Sequence, residues 1–221
     1  MTTTIHIVRH GEVDNPEGVL YGRLPAFGLT RRGHYMAREV AESFHERGND
    51  VVAVIASPLL RAQQTAAPIA RAYGLEVECD PRLIESANVF EGQRINSDPK
   101  IMAHPKNWRH FLRPLQPSWG ESYTEVASRM RAAVSAALRQ AAGHEAVLVS
   151  HQMPIVTLTR FAQKKALPHS PFTRHCSLAS VTSLIFQDST LVGMTYEEPA
   201  AHLLEGALDM TPGDSAAGVR R

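Results

Sequence analysis

Side chains that could carry out phosphoryl transfer follow four short apolar segments of this sequence. They are Arg9, His10, Glu12, Arg61, Glu85 and His151. Two guanidinium groups can bind phosphoryl oxygens in bidentate pairs, and an imidazole that is largely neutral near pH 7 can attack phosphorus without a strong base beside it. A carboxylic acid can protonate the leaving oxygen and then accept a proton from water. Arginine and histidine would have to supply the positive charge, since no acidic cluster suited to Mg²⁺ is apparent in the sequence.

Each of these residues also has an ordinary explanation. A histidine after a strand is more often structural than catalytic, Arg61 could be a solvated side chain, and Glu85 could be surface charge. Their joint position after four apolar segments favours one shared site, because independent surface residues have no reason to converge. That position alone does not distinguish Glu85 from Glu12 as the acid.

The apolar segments alternate with segments of helical periodicity. Strands are predicted over residues 3–9, 51–56, 75–79 and 146–150, and a closing hairpin over 180–186 and 190–196. Helices are predicted from Thr30 to about Arg47, from Ser57-Pro58 to about Tyr73, from about Ser122 to Ala142 and over 155–163. This order is typical of an α/β three-layer sandwich, with a mostly parallel central sheet and helices on both faces. Ligands of such folds bind beyond the carboxyl ends of the strands, where the candidate residues are expected to meet.

Two regions depart from this alternation. Periodicity is poor from 81 to 120, and residues 92–120 are expected to be an insertion that forms a lid or wall over the pocket. Residues 199–221 are small and polar, which predicts a loosely attached or disordered tail. We therefore expect a single domain over residues 1–198.

Composition restricts the classes of partner. The 221 residues include 23 Lys plus Arg and 22 Asp plus Glu, a formal net charge of +1. No chain-wide basic field would draw the protein to nucleic acid or to an anionic membrane. The sequence starts without a secretory pattern and has no run of 18 apolar residues, so a cytoplasmic location is expected. Cys79 and Cys176 are too few for a disulfide framework or a zinc cluster, and we expect reduced thiols.

The sequence resembles the histidine phosphatase superfamily, also called phosphoglycerate-mutase-like. Four motifs occur in family order, within a resemblance that covers about residues 5–197: Val8-Arg9-His10-Gly11-Glu12, Ala56-Ser57-Pro58-Leu59-Leu60-Arg61, Leu83-Ile84-Glu85 and Val149-Ser150-His151. The resemblance implies a phosphoglycerate-mutase-like fold and chemistry that needs neither metal nor cofactor. It implies that His10 becomes phosphohistidine, that Arg9, Arg61 and His151 complete the phosphate pocket, and that Glu85 donates the proton. Some members use the carboxylate after the Arg-His-Gly motif, which keeps Glu12 as the alternative donor.

Departures from the family pattern concern substrate binding. Val13 stands where a hydroxyl residue is usual, and Asn15 is only an approximate counterpart of a family Asn. Gln152 replaces the glycine that commonly follows the second histidine, although its backbone N–H could still reach a phosphate oxygen. With Arg23 as a candidate for the pocket rim, the expected substrate-binding residues are Arg9, Arg61, His151, Asn15, Arg23 and Gln152.

The preferred function is hydrolysis of a small phosphorylated metabolite. A phosphoglycerate mutase is the alternative, but the basic residues of the insertion lack the paired arginines that such mutases carry. A non-catalytic module that binds a phosphorylated ligand is a third hypothesis. The expected partner is a small phosphorylated substrate, without nucleic acid or membrane, and a homodimer stays open.

Overall fold

A computed structural model describes residues 1–98, 100–103, 105, 120–211 and 213–219. The strands of its main sheet are β1 (Thr2–Arg9), β2 (Val51–Ala56), β3 (Val77–Cys79), β4 (Glu145–Ser150), β5 (Val181–Gln187) and β6 (Thr190–Glu197). Their order across the sheet is β3-β2-β4-β1-β5-β6. The first four strands run parallel, and β5 and β6 are antiparallel to their neighbours. The parallel strands therefore bring their carboxyl ends to one edge.

Helices cover both faces of this sheet. They are α1 (Arg31–Glu46), α2 (Leu60–Ala72), α3 (Lys100–Ala103), α4 (Tyr123–Gln140) and α5 (Gln152–Ala162). One core cluster joins α1 and α2 to the sheet, and a second joins α4 and α5 to the opposite face. This arrangement confirms the α/β three-layer sandwich. Among the described residues, no helix combines the length and apolar character that a membrane span requires.

The central strand β1 shows how packing fixes the carboxyl end of a strand. Ile5 and Ile7 are buried against α4 and α5, whereas Val8 is buried against α1 and α2. Strand side chains alternate between faces, so both faces of β1 are apolar and enclosed. Burial of each such side chain contributes about 1.5–3 kcal/mol. This packing fixes the position of Arg9 and of the residue that follows it.

Local capping explains the starts of α1 and α4, whereas the start of α2 differs from the prediction. Thr30 accepts a hydrogen bond from the Gly33 backbone, and Ser122 forms a capping box at the start of α4. The predicted start of α2 at Ser57-Pro58 is wrong, because the helix begins at Leu60. The Ser57 hydroxyl accepts a long hydrogen bond of 3.4 Å from the Leu59 N–H, and it lies 2.7 Å from Nε2 of His151 across the sheet edge.

The prediction of a loose or disordered tail over 199–221 is also wrong for its described part. Ala200, Leu204 and Ala207 are buried in the cluster beneath α1 and α2. Beyond them, strands β7 (Leu208–Asp209) and β8 (Gly218–Val219) form a small parallel sheet. Small side chains let this segment pack closely, so a composition of small and polar residues does not by itself indicate disorder.

The predicted lid over 92–120 lies mostly outside the described residues. Its start is anchored, since the Gly92 N–H donates to the Leu20 carbonyl and the Leu20 N–H donates to the Gln93 carbonyl. The described helix α3 lies within this segment. The two tryptophans of this region lie outside the described residues.

Candidate active site

His10 and His151 stand side by side at the centre of the sheet edge. Each follows one of two neighbouring parallel strands, β1 and β4, and the His10 N–H donates to the Ser150 carbonyl at 3.2 Å. The centroids of the two imidazole rings are 5.2 Å apart. Both side chains are at most 2% exposed. The register of β1 and β4 thus creates a buried histidine pair.

The His10 ring has the geometry of a neutral nucleophile. Its Nδ1 lies 2.8 Å from the Gly11 carbonyl, which can only accept, so the proton is assigned to Nδ1 and the lone pair to Nε2. Burial, and then the charges of Arg61 and Arg9, hold the pKa of His10 well below 6.5. The ring is therefore uncharged at neutral pH, as attack on phosphorus requires.

His151 presents a polar atom with an unmet hydrogen bond. Its Nε2 lies 2.7 Å from the Ser57 hydroxyl, while its buried Nδ1 has no hydrogen-bond partner among the described residues. Burial, followed by the charge of Arg61, holds the pKa of His151 well below 6.5. Buried polar atoms in proteins are normally satisfied, so this atom is available to a ligand.

Arg61 is buried with most of its donors unused. Its Nη2 donates to the Gly22 carbonyl at 2.7 Å, whereas Nε and Nη1 have no partner among the described residues. Its Cζ lies 4.6 Å from the centre of the Tyr21 ring, which supports the guanidinium plane. Burial lowers the pKa of Arg61, yet an arginine stays charged in proteins. This uncompensated cation beside His10 is suited to a phosphoryl group.

Arg9 is held by the tail that the sequence analysis expected to be loose. Its guanidinium forms an ion pair with Asp209 at 2.7 Å, and it also donates to the Cys176 carbonyl and the Thr211 hydroxyl. Burial alone would lower the pKa of Arg9, but the charge and hydrogen bond of Asp209 reverse this and raise it. Only Nε is left without a partner in the described residues. Arg9 thus has fewer free hydrogen-bond donors and less uncompensated charge for a ligand than an unpaired guanidinium would have.

The Arg9–Asp209 pair gives a stability prediction. Asp209→Asn is expected to lower the free energy of unfolding by about 3–5 kcal/mol, because it leaves the buried Arg9 charge uncompensated. Urea unfolding followed by circular dichroism measures the change. The matched control Asp214→Asn removes a carboxylate whose side chain is 80% exposed, and it is expected to change stability by less than about 0.5 kcal/mol. Equal effects of the two substitutions would contradict a structural role for the pair.

The two candidate proton donors have different surroundings. Glu85 lines a cleft, and its Oε1 accepts from the Ser86 N–H at 2.8 Å. Burial raises the pKa of Glu85, against the opposing influence of that hydrogen bond and of Arg61. Glu12 instead accepts from the Thr30 hydroxyl at 2.5 Å and from the Leu208 N–H at 2.8 Å. Both oxygens of Glu12 therefore join structural elements, and Glu85 is the better-placed acid.

Two of the expected substrate-binding residues also hold loops. Asn15 donates from its amide to the Val19 carbonyl at 2.8 Å and accepts from the Val19 N–H at 3.2 Å. Arg23 donates to the Glu85 carbonyl at 2.6 Å and pairs with Glu121 at 2.8 Å. Asn15 thus shapes the first loop, and Arg23 positions the segment that carries Glu85.

The cleft beside the histidines has a free volume of about 510 Å³, including the part open to solvent. It is lined by Leu20, Tyr21, Gly22, Glu85, Ser86, Asn88, Gln152, Met153, Arg174, Met210 and Thr211. Tyr21 joins the cleft to the histidine pair, because its ring centroid lies 6.4 Å from that of His10.

Gln152 is the expected binding residue that does lie on the cleft. It is the first residue of α5, so the positive end of that helix is at the cleft wall. Its Oε1 accepts from Nη1 of Arg174 at 3.2 Å. Arg174 itself was missed by the sequence analysis, since it lies in a loop outside any recognised motif. Within the described ranges, no group of three His, Cys, Asp or Glu side chains could hold a metal ion.

Comparison with known proteins identifies the family. The sequence model of the histidine phosphatase superfamily (branch 1) matches residues 5–198. The Mycobacterium tuberculosis protein named Uncharacterized protein Rv0525 is 52% identical over 199 residues, which are 90% of this chain and 98% of that protein. This chain belongs to the histidine phosphatase superfamily. The resemblance drawn from the four sequence motifs is thereby confirmed.

Other members of the superfamily carry more specific names. Probable phosphoglycerate mutase GpmB of Enterobacter sp. (strain 638) is 32% identical over 190 residues, which cover 80% of this chain and 83% of that protein. The structure of mycobacterial glucosyl-3-phosphoglycerate phosphatase Rv2419c with inorganic phosphate is 26% identical, with a TM-score of 0.65 over 82% of this chain and 88% of that one. These neighbours confirm the phosphoglycerate-mutase-like fold. Phosphatases and mutases in the superfamily both support a phosphoryl-transfer enzyme.

The family match ends at residue 198, before the tail contacts begin. Asp209 and Thr211, which hold the Arg9 guanidinium, therefore lie outside the matched region. In this member of the histidine phosphatase superfamily, the segment after the matched region belongs to the structure around the site.

Proposed function

We propose that this protein hydrolyses a small phosphorylated metabolite through a phosphohistidine at His10, without a metal ion. The observation that supports this most is the neutral His10 ring, whose Nε2 carries the lone pair. Beside it, two nitrogens of Arg61 and Nδ1 of His151 have no partner among the described residues. A nucleophile and uncompensated positive charge are thus combined at one buried point. Such preorganised charge stabilises the transition state of phosphoryl transfer.

The first step transfers the phosphoryl group to the protein. Nε2 of His10 attacks phosphorus, a P–N bond forms, and the bond from phosphorus to the leaving oxygen breaks. Glu85 donates its proton to that oxygen, so the leaving group departs as a neutral alcohol. Arg61 and the Nε of Arg9 balance the charge on the remaining phosphoryl oxygens. The raised pKa of Glu85 favours the protonated form that this step consumes.

The second step returns the protein to its starting state. The Glu85 carboxylate accepts a proton from water, and the water oxygen attacks phosphorus while the P–N bond breaks. Inorganic phosphate leaves, His10 is again neutral, and Glu85 again carries its proton. The same group thus acts first as acid and then as base.

Mutase activity is the second candidate, supported by the 32% identity to a protein named as a probable phosphoglycerate mutase. A mutase would return the phosphoryl group from His10 to a bound acid instead of to water. The chain itself favours hydrolysis, since residues 92–120 contain no paired-arginine stretch. A protein named as a phosphatase is among the solved structures with the same fold.

The test measures the phosphoryl group directly. We expect release of inorganic phosphate from p-nitrophenyl phosphate and from at least some members of a panel of sugar phosphates, nucleotides, phosphoglycerates and phosphopeptides. Brief mixing with a ³²P-labelled substrate should leave an acid-labile, alkali-stable label on His10. Rapid interconversion of 3- and 2-phosphoglycerate with little free phosphate would favour the mutase. The absence of both labelling and turnover across the whole panel would favour a non-catalytic binding module.

A further inference from the structure

Arg174 is a buried cation on the cleft wall with neutral partners. Arg174 is 8% exposed and lines the cleft. Nε donates to Nε2 of His169 at 3.1 Å, and Nη1 donates to Oε1 of Gln152 at 3.2 Å. His169 is itself neutral in this arrangement, because its Nδ1 lies 2.7 Å from the Leu167 carbonyl and carries the proton.

Two other arginines of low exposure, Arg9 and Arg129, are compensated by carboxylates. Arg9 pairs with Asp209, and Arg129 pairs with Glu121 at 2.8 Å. Arg61 and Arg174 have no carboxylate within ion-pair distance among the described residues. For Arg61 the proposed phosphoryl group supplies the missing negative charge. The buried charge of Arg174 would therefore be compensated by a second bound anion.

The surroundings of Arg174 also suit an anion. Glu85 is the one acidic residue among the described lining residues of the cleft, and it is proposed to hold a proton before reaction. Burial lowers the pKa of Arg174, with Tyr123 and Glu85 opposing it. The contact from Gln152 fixes the orientation of the guanidinium plane. A planar fork held in this way matches a carboxylate or phosphoryl group.

We propose that Arg174, oriented by Gln152, forms a second anion subsite in the cleft. The substrate class is then a phosphomonoester that carries a further carboxylate or phosphoryl group. This inference rests on the proposed function of His10, since the phosphoryl group at one end places the second anion at the other. It assigns substrate selection to a residue outside the family motifs.

The test uses substrates that differ only at their far end. Steady-state kcat/KM is measured for ω-carboxyalkyl phosphates, α,ω-alkanediol bisphosphates and ω-hydroxyalkyl phosphates, each with two to four carbons between the groups. At one chain length, the wild type should prefer an anionic substrate over its hydroxyl counterpart by about ten- to a hundred-fold. The preferred series shows whether a carboxylate or a phosphoryl group is bound, and the preferred length gives the spacing.

Two variants separate recognition from structural support. Arg174→Gln should reduce that preference to about two-fold or less, and Arg174→Lys should keep part of it because the charge stays while the fork is lost. Arg139→Gln is the matched control, since Arg139 is exposed on α4 and donates to the Ser135 hydroxyl, and it should keep the full preference. The inference is overturned if the wild type shows no preference at any length, or if Arg174→Gln lowers all three series by the same factor.

A binding measurement keeps this inference separate from the proposed function. Calorimetry with ω-carboxyalkyl, ω-phosphonoalkyl and ω-hydroxyalkyl phosphonates needs no turnover. Tighter binding of an anionic phosphonate that Arg174→Gln removes would support the subsite even if no substrate is hydrolysed. Equal binding of all three phosphonates would overturn it even if p-nitrophenyl phosphate is hydrolysed well.

Discussion

Replacing His10 with alanine is expected to lower kcat for p-nitrophenyl phosphate by about 10⁴-fold or more, because it removes the atom that accepts the phosphoryl group. The neighbouring imidazole of His151 is held in a separate position. His151 already engages Nε2 with Ser57, and its ring lies 5.2 Å from the His10 ring. Phosphate release under saturating substrate measures the loss, and the ³²P label on the protein should disappear with it.

The control for this substitution is His34→Ala. His34 is exposed on α1 and belongs to none of the contacts around the cleft, so its removal should leave kcat within about two-fold. Circular dichroism and thermal unfolding check that the His10 variant stays folded, and His10→Asn offers a polar replacement of closer size. Turnover near the wild-type level in both folded His10 variants would exclude His10 as the nucleophile.

The positions of the histidines could be predicted because they depend on order along the chain. Buried parallel strands are recognisable as continuous apolar runs, and their carboxyl ends must share an edge. Once β1 and β4 are assigned, His10 and His151 follow directly. The helix starts at Thr30 and Ser122 could be predicted for the same kind of reason. Each side chain caps backbone groups only three residues away.

The contacts that sequence reasoning missed connect distant segments. Asp209 lies 200 residues beyond Arg9, and neither residue carries a local sign of the other. Ser57 has the features of a helix cap, but its hydroxyl is used by His151 across the sheet. Such pairings depend on how the elements pack, so no spacing rule within one segment reveals them.

These long-range contacts change how the charge of the site is understood. From the sequence, Arg9 and Arg61 were equivalent guanidiniums that would bind phosphate together. In the structure Asp209 compensates Arg9, while Arg61 has no carboxylate partner among the described residues. Arg61 is therefore the main source of uncompensated charge next to His10, and Arg9 contributes mainly through Nε and through the anchored tail.

Glu85→Gln is expected to separate substrates by the acidity of their leaving groups. The variant cannot donate a proton, so kcat/KM should fall by about 10²- to 10⁴-fold for a simple alkyl phosphate. For 2,4-dinitrophenyl phosphate, whose leaving oxygen departs without a proton, the fall should be less than about ten-fold. The quantity kcat/KM is suited to this comparison because it reports the steps up to formation of phosphohistidine and excludes its hydrolysis.

The pH dependence gives a second signature of Glu85. Donation requires the protonated acid, and burial raises its pKa above the usual value near 4.5, so wild-type kcat/KM for the alkyl phosphate should decline as pH rises through that raised pKa. His10 must be neutral, and its pKa lies well below 6.5, so activity should fall only at lower pH on the acid side. Glu85→Gln should remove the alkaline decline and keep the acid one. The ratio of variant to wild type at each pH cancels ionisation of the substrate.

Glu12→Gln is the matched control, and it decides between the two carboxylates. Both oxygens of Glu12 accept hydrogen bonds, from the Thr30 hydroxyl and the Leu208 N–H, so its loss should act through the loop and the tail. Any reduction in kcat/KM should then be the same for the alkyl and the dinitrophenyl substrate, with the alkaline decline still present. If Glu12→Gln instead produced the leaving-group dependence and Glu85→Gln did not, the acid would be Glu12, and the hydrogen bonds that hold it would have to open before each proton transfer.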